Sequence, residues 1–181
     1  MIMRWVVLAA VVGLVAAGCG TTEPPRPNGA LVPVGARDVV VDVSGEELLT
    51  GAAVATRDLD GTALVVNVWG AWCAPCRHEF PQLQRVRAET RELDVDFLGI
   101  DVRDNDREFT VDFVRDRQVE YPSLYDPAAR SLLGFGKYRN ATVPSTFVLD
   151  KQHRVAAVFY GGVLADELLP RVREVAAEAS S

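Results

Sequence analysis

Lysine is almost missing from this 181-residue chain, with only Lys137 and Lys151 present. Arginine carries the remaining basic charge, and 25 acidic residues against 19 basic ones leave a net charge of −6. That balance excludes a basic footprint for a nucleic-acid backbone. Long apolar runs are missing as well: the most extended, Trp5 to Ala17, covers 13 positions. A helix crossing a bilayer needs roughly 20. Histidine occurs twice and cysteine three times, too few neighbouring ligands for a four-ligand zinc site. No internal repeat and no long low-complexity tract is present. What remains is an ordinary globular composition, 49% hydrophobic and 24% charged, which excludes a fibrous or disordered protein. The length suits one domain with an N-terminal appendage.

The appendage has the pattern of an export signal. Arg4 gives a positive start, and the apolar stretch from Trp5 has the length of a signal-peptide core. Val15-Ala16-Ala17-Gly18-Cys19 resembles the lipobox of bacterial lipoproteins, in which the cysteine is acylated and becomes the mature N-terminus. It departs from that pattern at Ala16, where Leu is commoner. Ordinary cleavage leaving a free thiol, or an uncleaved anchor, are the alternatives. Residues 1–18 are therefore expected to be a signal peptide and Cys19 the lipidation site. Residues 19–35 are expected to form a flexible tether, since Pro24, Pro25, Pro27 and Pro33 give it no core of its own. Acyl chains at about 0.8 kcal/mol per buried CH₂ would hold the domain on the outer face of the cytoplasmic membrane. Lipidation also accounts for an odd cysteine count, because Cys73 and Cys76 then form one closed pair.

Residues 36–181 alternate between strand and helix patterns. Val39 to Val43 is a β-branched run followed by a Ser44-Gly45 turn, and Ala52 to Arg57 is a weaker strand pattern ending at Asp60-Gly61. Leu64 to Trp69 is nearly all apolar, as expected for a central strand covered on both faces. From Ala74 to Glu92, Phe80, Leu83, Val86 and then Leu93 recur at helical spacing. Val95 to Val102 reads as a second buried strand, and Asp106 to Arg117 as a helix through Phe109, Phe113 and Val114. Ser145 to Asp150 and Arg154 to Tyr160 read as a hairpin, and Leu164 to about Ala179 as a last helix. The order β–α–β–α–β–β–α, behind an N-terminal β region, predicts a three-layer α/β/α sandwich.

The strongest signal is Trp72-Cys73-Ala74-Pro75-Cys76, a Cys-X-X-Cys where a buried strand ends and a helix begins. A helix N-terminus leaves backbone N–H groups unpaired and carries partial positive charge, which stabilises a thiolate there. Cys73 at the junction is expected to be the exposed nucleophile. Cys76, about one turn further in, would attack the mixed disulfide and release the substrate. Pro75 is tolerated in the first turn, where its missing N–H would be unpaired anyway.

Asn67-Val68-Trp69-Gly70-Ala71-Trp72-Cys73-Ala74-Pro75-Cys76-Arg77-His78-Glu79-Phe80-Pro81 resembles the active-site block of the TlpA/ResA-like branch of thioredoxin-fold proteins. The similarity runs from about Val39 to Ala179. It implies a thioredoxin fold with an N-terminal β extension and a central insertion between about Asp104 and Gly136. A second landmark of that family is a cis-proline facing the cysteines, and Thr142-Val143-Pro144-Ser145-Thr146-Phe147 looks like its segment. The resemblance implies that Pro144 is that proline and that Val143 sets its backbone beside Cys73, where a substrate adds as a short strand. Trp72, next to the nucleophile, would flank the same surface. Cytosolic thioredoxin has a buried Asp six residues before the first Cys; Asn67 stands there and cannot ionise. The family's Glu three residues after the second Cys is Glu79, expected to be an accessory acid/base, with a solvated helix residue as the alternative.

The resemblance implies a monomeric, membrane-anchored thiol-disulfide oxidoreductase with no cofactor and no metal. Its partners would be exported proteins, commonly apocytochrome c, whose disulfides it reduces, and a membrane electron donor of the thiol-disulfide type. The same chemistry run backwards would introduce disulfides, and direction rests on the reduction potential. A binding module with a vestigial cysteine pair is the alternative from another class. Haem attachment needs Cys-X-X-Cys-His, and Arg77 stands in the His place. A peroxidase of this fold keeps its reactive Cys in a Pro- and Thr-containing loop that the motif does not match. Trp69 reads as core, His78 as a surface residue, His153 as a turn residue without a role, and Asp101 to Glu108 as a solvated loop and helix start without metal-loop spacing.

Overall fold

A computed structural model describes residues 28–179. The expected signal segment and Cys19 lie outside the described residues. Two short strands come first, β1 (Ser44–Glu46) and β2 (Ala53–Ala55), paired as an antiparallel hairpin. The main sheet holds β3 (Ala63–Trp69), β4 (Val95–Val102), β5 (Ser123–Asp126), β6 (Ser145–Leu149) and β7 (Val155–Tyr160). The helices are α1 (Ala74–Glu89), α2 (Arg107–Asp116) and α3 (Ala165–Ala176).

The strand order is β5-β4-β3-β6-β7, parallel from β5 to β3 and antiparallel from β3 through β7. Every residue of central β3 is buried, as its unbroken apolar run requires. Its side chains alternate between two cores. Val65 and Trp69 pack with Phe80, Leu83, Phe113, Leu168 and Val172 from the three helices. Leu64, Val66 and Val68 pack on the opposite face with Val41, Val43, Leu132 and Phe135. That second cover is no long α-helix. It consists of a 3₁₀ segment, Ser131–Tyr138, kinked at Gly136 with φ 51°, and of the extended chain before β1.

Several elements differ from expectation. The Val39 to Val43 run forms no strand; it lies along β7 through one isolated bridge, Val40 to Arg154, and the Val155 N–H to Val39 C=O bond of 3.0 Å. The predicted Ser44-Gly45 turn is strand β1. β5 escaped notice because it has only four residues, directly after Pro122 and before Pro127. Helix α1 ends at Glu89, so Leu93 falls beyond it and is exposed. The segment read as a free tether up to residue 35 is docked from Asn28 onward. The Gly29 and Val32 N–H groups donate to Val158 and Ala156 C=O at 2.8 and 2.7 Å, and Val32 is buried.

Candidate active site

The C-terminal edge of β3 turns through Gly70 and Ala71 into the first turn of α1. Cys73 is the N-cap of that helix, with extended backbone at φ −85° and ψ 105°, and Pro75 sits in the first turn. The Cys76 N–H donates to Cys73 Sγ at 3.2 Å, the geometry of a side chain capping free helix donors. Cys73 and Cys76 are joined as a disulfide. Both residues are nearly closed over, at 2% and 1% exposure. Cys73 is therefore not the exposed group that was expected. Its bridge to buried Cys76 draws the side chain into the helical-face core, while Trp72 (46% exposed), Ala74 and Pro75 form the surface around it.

The Val143–Pro144 peptide is cis, at the mouth of β6. Val143 packs against the core cluster that contains both cysteines. Among the described residues neither its N–H nor its C=O finds a hydrogen-bond partner. An open cavity of about 400 Å³ lies beside the pair, lined by Ala74, Pro75, His78, Glu79 and Gly162 to Leu164.

Glu79 is no solvated helix residue. It is 2% exposed and lies one turn beyond Cys76 on the buried side of α1. Its carboxyl accepts from Asn67 Nδ2 at 3.0 Å, Thr146 Oγ1 at 3.1 Å and the Val163 N–H at 3.3 Å. Sheet register explains the gathering: Asn67 pairs directly with Thr146 across β3 and β6. Burial pushes the Glu79 carboxyl up to about 7, and the three hydrogen bonds only partly offset it. Tyr121 completes the group, its hydroxyl 3.5 Å from Asn67 Oδ1.

Sequence reasoning missed Thr146, Tyr121 and Val163 as partners of Glu79. It also misread Asp101 and Asp104, which are 0% and 7% exposed rather than solvated. Asp101 belongs to β4, whose parallel pairing sets it beside Trp69. Trp69 is core as expected, edge-on to Phe80 and stacked on Phe113. His78 is exposed, whereas His153 is buried in its turn. Among the described residues no three His, Cys, Asp or Glu side chains gather as metal ligands.

A cysteine pair at a helix N-terminus, in a fold with a cis-proline at the head of an antiparallel strand, defines a thioredoxin-fold thiol-disulfide oxidoreductase. The chain belongs to the AhpC/TSA family, whose model matches residues 37–158. It is 26% identical over 121 residues to the thiol-disulfide oxidoreductase ResA of Bacillus cereus, covering 66% of this chain and 67% of that protein. Among solved structures it is similar to a DsbF homologue from Corynebacterium diphtheriae, with 37% identity and a TM-score of 0.77 over 84% of this chain and 96% of the other. A secreted thiol-disulfide isomerase from Corynebacterium glutamicum gives 34% identity and a TM-score of 0.80, over 86% and 96%.

Proposed function

We propose that this chain reduces disulfides in exported proteins, with apocytochrome c as the substrate class that the resemblance implies. The carrying observation is the Cys73–Cys76 disulfide at the N-terminus of α1, with the Cys76 N–H already aimed at Cys73 Sγ. In the reduced enzyme Cys73 is the nucleophile. Its thiolate attacks one sulfur of the substrate disulfide, the substrate S–S bond breaks, and the other substrate sulfur leaves as a thiol. Cys76 then loses its proton and attacks Cys73 Sγ, which releases the second substrate thiol and restores the Cys73–Cys76 bond. Glu79, poised near neutral pH and one turn from Cys76, takes that proton.

Substrate docks along Val143 and Pro144, where the unpaired Val143 backbone offers a short strand edge, and against exposed Trp72. Because Cys73 is closed over in the disulfide form, reaction with an incoming thiol requires local opening around Trp72, Ala74 and Pro75. A membrane thiol-disulfide donor resets the pair. The chain works as a monomer on the outer face of the cytoplasmic membrane, held through acylated Cys19. Similarity to the secreted thiol-disulfide isomerase from Corynebacterium glutamicum supports the extracytoplasmic setting.

Insulin reduction by the native chain, Cys73→Ser and Cys76→Ser tests this. The native chain turns over, Cys73→Ser does not, and Cys76→Ser accumulates a mixed disulfide. Equal turnover in all three would leave only a binding role. A glutathione titration that placed the pair near about −120 mV, the poise of a strong oxidant, would reverse the direction.

A further inference from the structure

The loop that delivers Cys73 is gripped from the side by β4 and the chain after it. The Ala71 N–H donates to Asp104 Oδ2 at 2.6 Å, and Trp72 Nε1 donates to the Val102 C=O at 3.0 Å. The Asp104 backbone is itself held, its C=O accepting from the Tyr125 hydroxyl at 3.0 Å. On the other side Arg77 Nη2 donates to the Ala71 C=O at 3.0 Å, and the Cys73 N–H to the Gly70 C=O at 3.0 Å.

Asp101, on β4 three residues before Asp104, is fully buried, and among the described residues neither of its oxygens has a hydrogen-bond partner. A carboxylate left so would bear the whole desolvation penalty beside a second carboxylate. The Asp101 and Asp104 carboxyls lie close enough to act on each other, and a proton shared between them would relieve that penalty.

We propose that Asp101 and Asp104 form a proton-sharing carboxyl pair that positions the active-site loop, with Asp104 clamping the Ala71 N–H two residues ahead of Cys73 and Asp101 bracing Asp104. Both are positioning residues, acting through the backbone rather than on the sulfur. The inference rests on Cys73 being the reacting sulfur, as proposed above. Burial first, and then the Asp104 and Asp126 carboxylates, push the Asp101 carboxyl up to about 9. Tyr125 from β5 interacts with both carboxyls, and it is itself faced by the Arg107 guanidinium, 5.1 Å over its ring, and by Asp106 from the head of α2. No charged group reaches it from β3, which offers Trp69. Loss of the shared proton in alkali would leave two buried carboxylates repelling each other and would loosen the clamp.

The experiment follows the second-order rate of the reduced full-length protein with an aromatic disulfide, 5,5′-dithiobis(2-nitrobenzoate), from pH 6 to 10. In the native chain the rate rises with the thiolate fraction and then falls through about pH 9, where Asp101 ionises. Asp101→Asn supplies a permanent donor to Asp104, so it keeps the native rate at pH 7 and loses the alkaline fall. Asp104→Ala is slower by about tenfold across the range, the loss expected for a reacting group displaced by a fraction of an ångström. Should that variant fail to fold, Asp104→Asn replaces it and also lacks the alkaline fall. An alkaline fall that persists unchanged in Asp101→Asn and Asp104→Asn overturns the proposal. Cys73→Ser is the separate control: reactivity equal to the native chain would sink the redox reading itself, whatever the two aspartates do.

Discussion

At the scale of the single residue, Glu79 makes the stability of the fold depend on pH. Its carboxyl titrates at about 7 rather than 4.5 because burial disfavours the charged form. The sign of the linkage follows. The raised value means that Glu79 leaves the fold at its most stable below the ordinary carboxylate range, and that this contribution disappears as pH rises through about 7. The move from 4.5 to about 7 corresponds to about 3 kcal/mol once the group is ionised. Glu79→Gln keeps a hydrogen-bonding side chain without the charge. Urea denaturation at pH 8 is expected to show it more stable than the native chain, with the difference gone at pH 4. Insulin reduction by the same variant is expected to lose its inflection near pH 7, with a rate at neutrality lower by about 10²-fold, the low end for a positioned acid/base group. A native pH profile retained in Glu79→Gln would assign the proton to another group.

At the scale of the element, the sheet brings the site together, and its register leaves little slack. Gly99 on β4 pairs with Asn67 on one side and Ser123 on the other. A Cβ at Gly99 would run into the Ser123 hydroxyl and stand 2.8 Å from Trp69 Nε1, which donates to that hydroxyl at 3.3 Å. Gly99→Ala is therefore expected to lower stability by about 1–3 kcal/mol through overpacking. An unchanged urea midpoint would show that β5 yields freely. The same elements explain what the sequence made legible. β3, β4 and the β6–β7 hairpin carry apolar runs that suit only a covered sheet. β1 did not, since Ser44 and Gly45 are turn formers and only pairing with Val54 and Ala55 makes them a strand. The cysteine pair and Pro144 stand in local motifs and could be located by reading along the chain. The cradle of Glu79 could not, because Thr146 and Val163 lie 67 and 84 positions away and reach it only through strand order. Asp101 and Asp104 looked solvated for the same reason: nothing local says that a polar run begins inside a buried strand.

At the scale of the whole molecule, charge sets opposing pH limits on stability. Arg37, at the start of the domain, donates to Asp150 at 3.0 Å and, through both terminal nitrogens, to Glu178 at 2.5 and 2.7 Å. It thus ties the N-terminal segment to the β6–β7 turn and to the chain just past α3. Burial alone would raise Asp150, but hydrogen bonds from Arg154 and Arg37 more than compensate and hold it below its ordinary 3.8. A depressed carboxyl contributes stability that is present above its ordinary range and is lost as pH falls through its folded value. Glu79 and Asp101 act in the opposite sense, withdrawing stability as pH rises through about 7 and about 9. The thermal midpoint is therefore expected to be highest in mild acid and to fall steadily above it, more shallowly past about pH 7 and levelling past about pH 9. Arg37→Ala leaves Asp150 with Arg154 and strands the buried end of the network, for an expected loss of about 3 kcal/mol. Its acid decline is also shallower than that of the native chain, because Asp150 has lost one of the donors that hold it down. Thermal melts of the native chain, Glu79→Gln and Arg37→Ala across pH 3 to 10 decide the matter. A native midpoint that climbs from pH 5 to pH 8 would mean that the buried carboxyls are already charged at neutrality, and that neither Glu79 nor Asp101 holds the proton assigned to it.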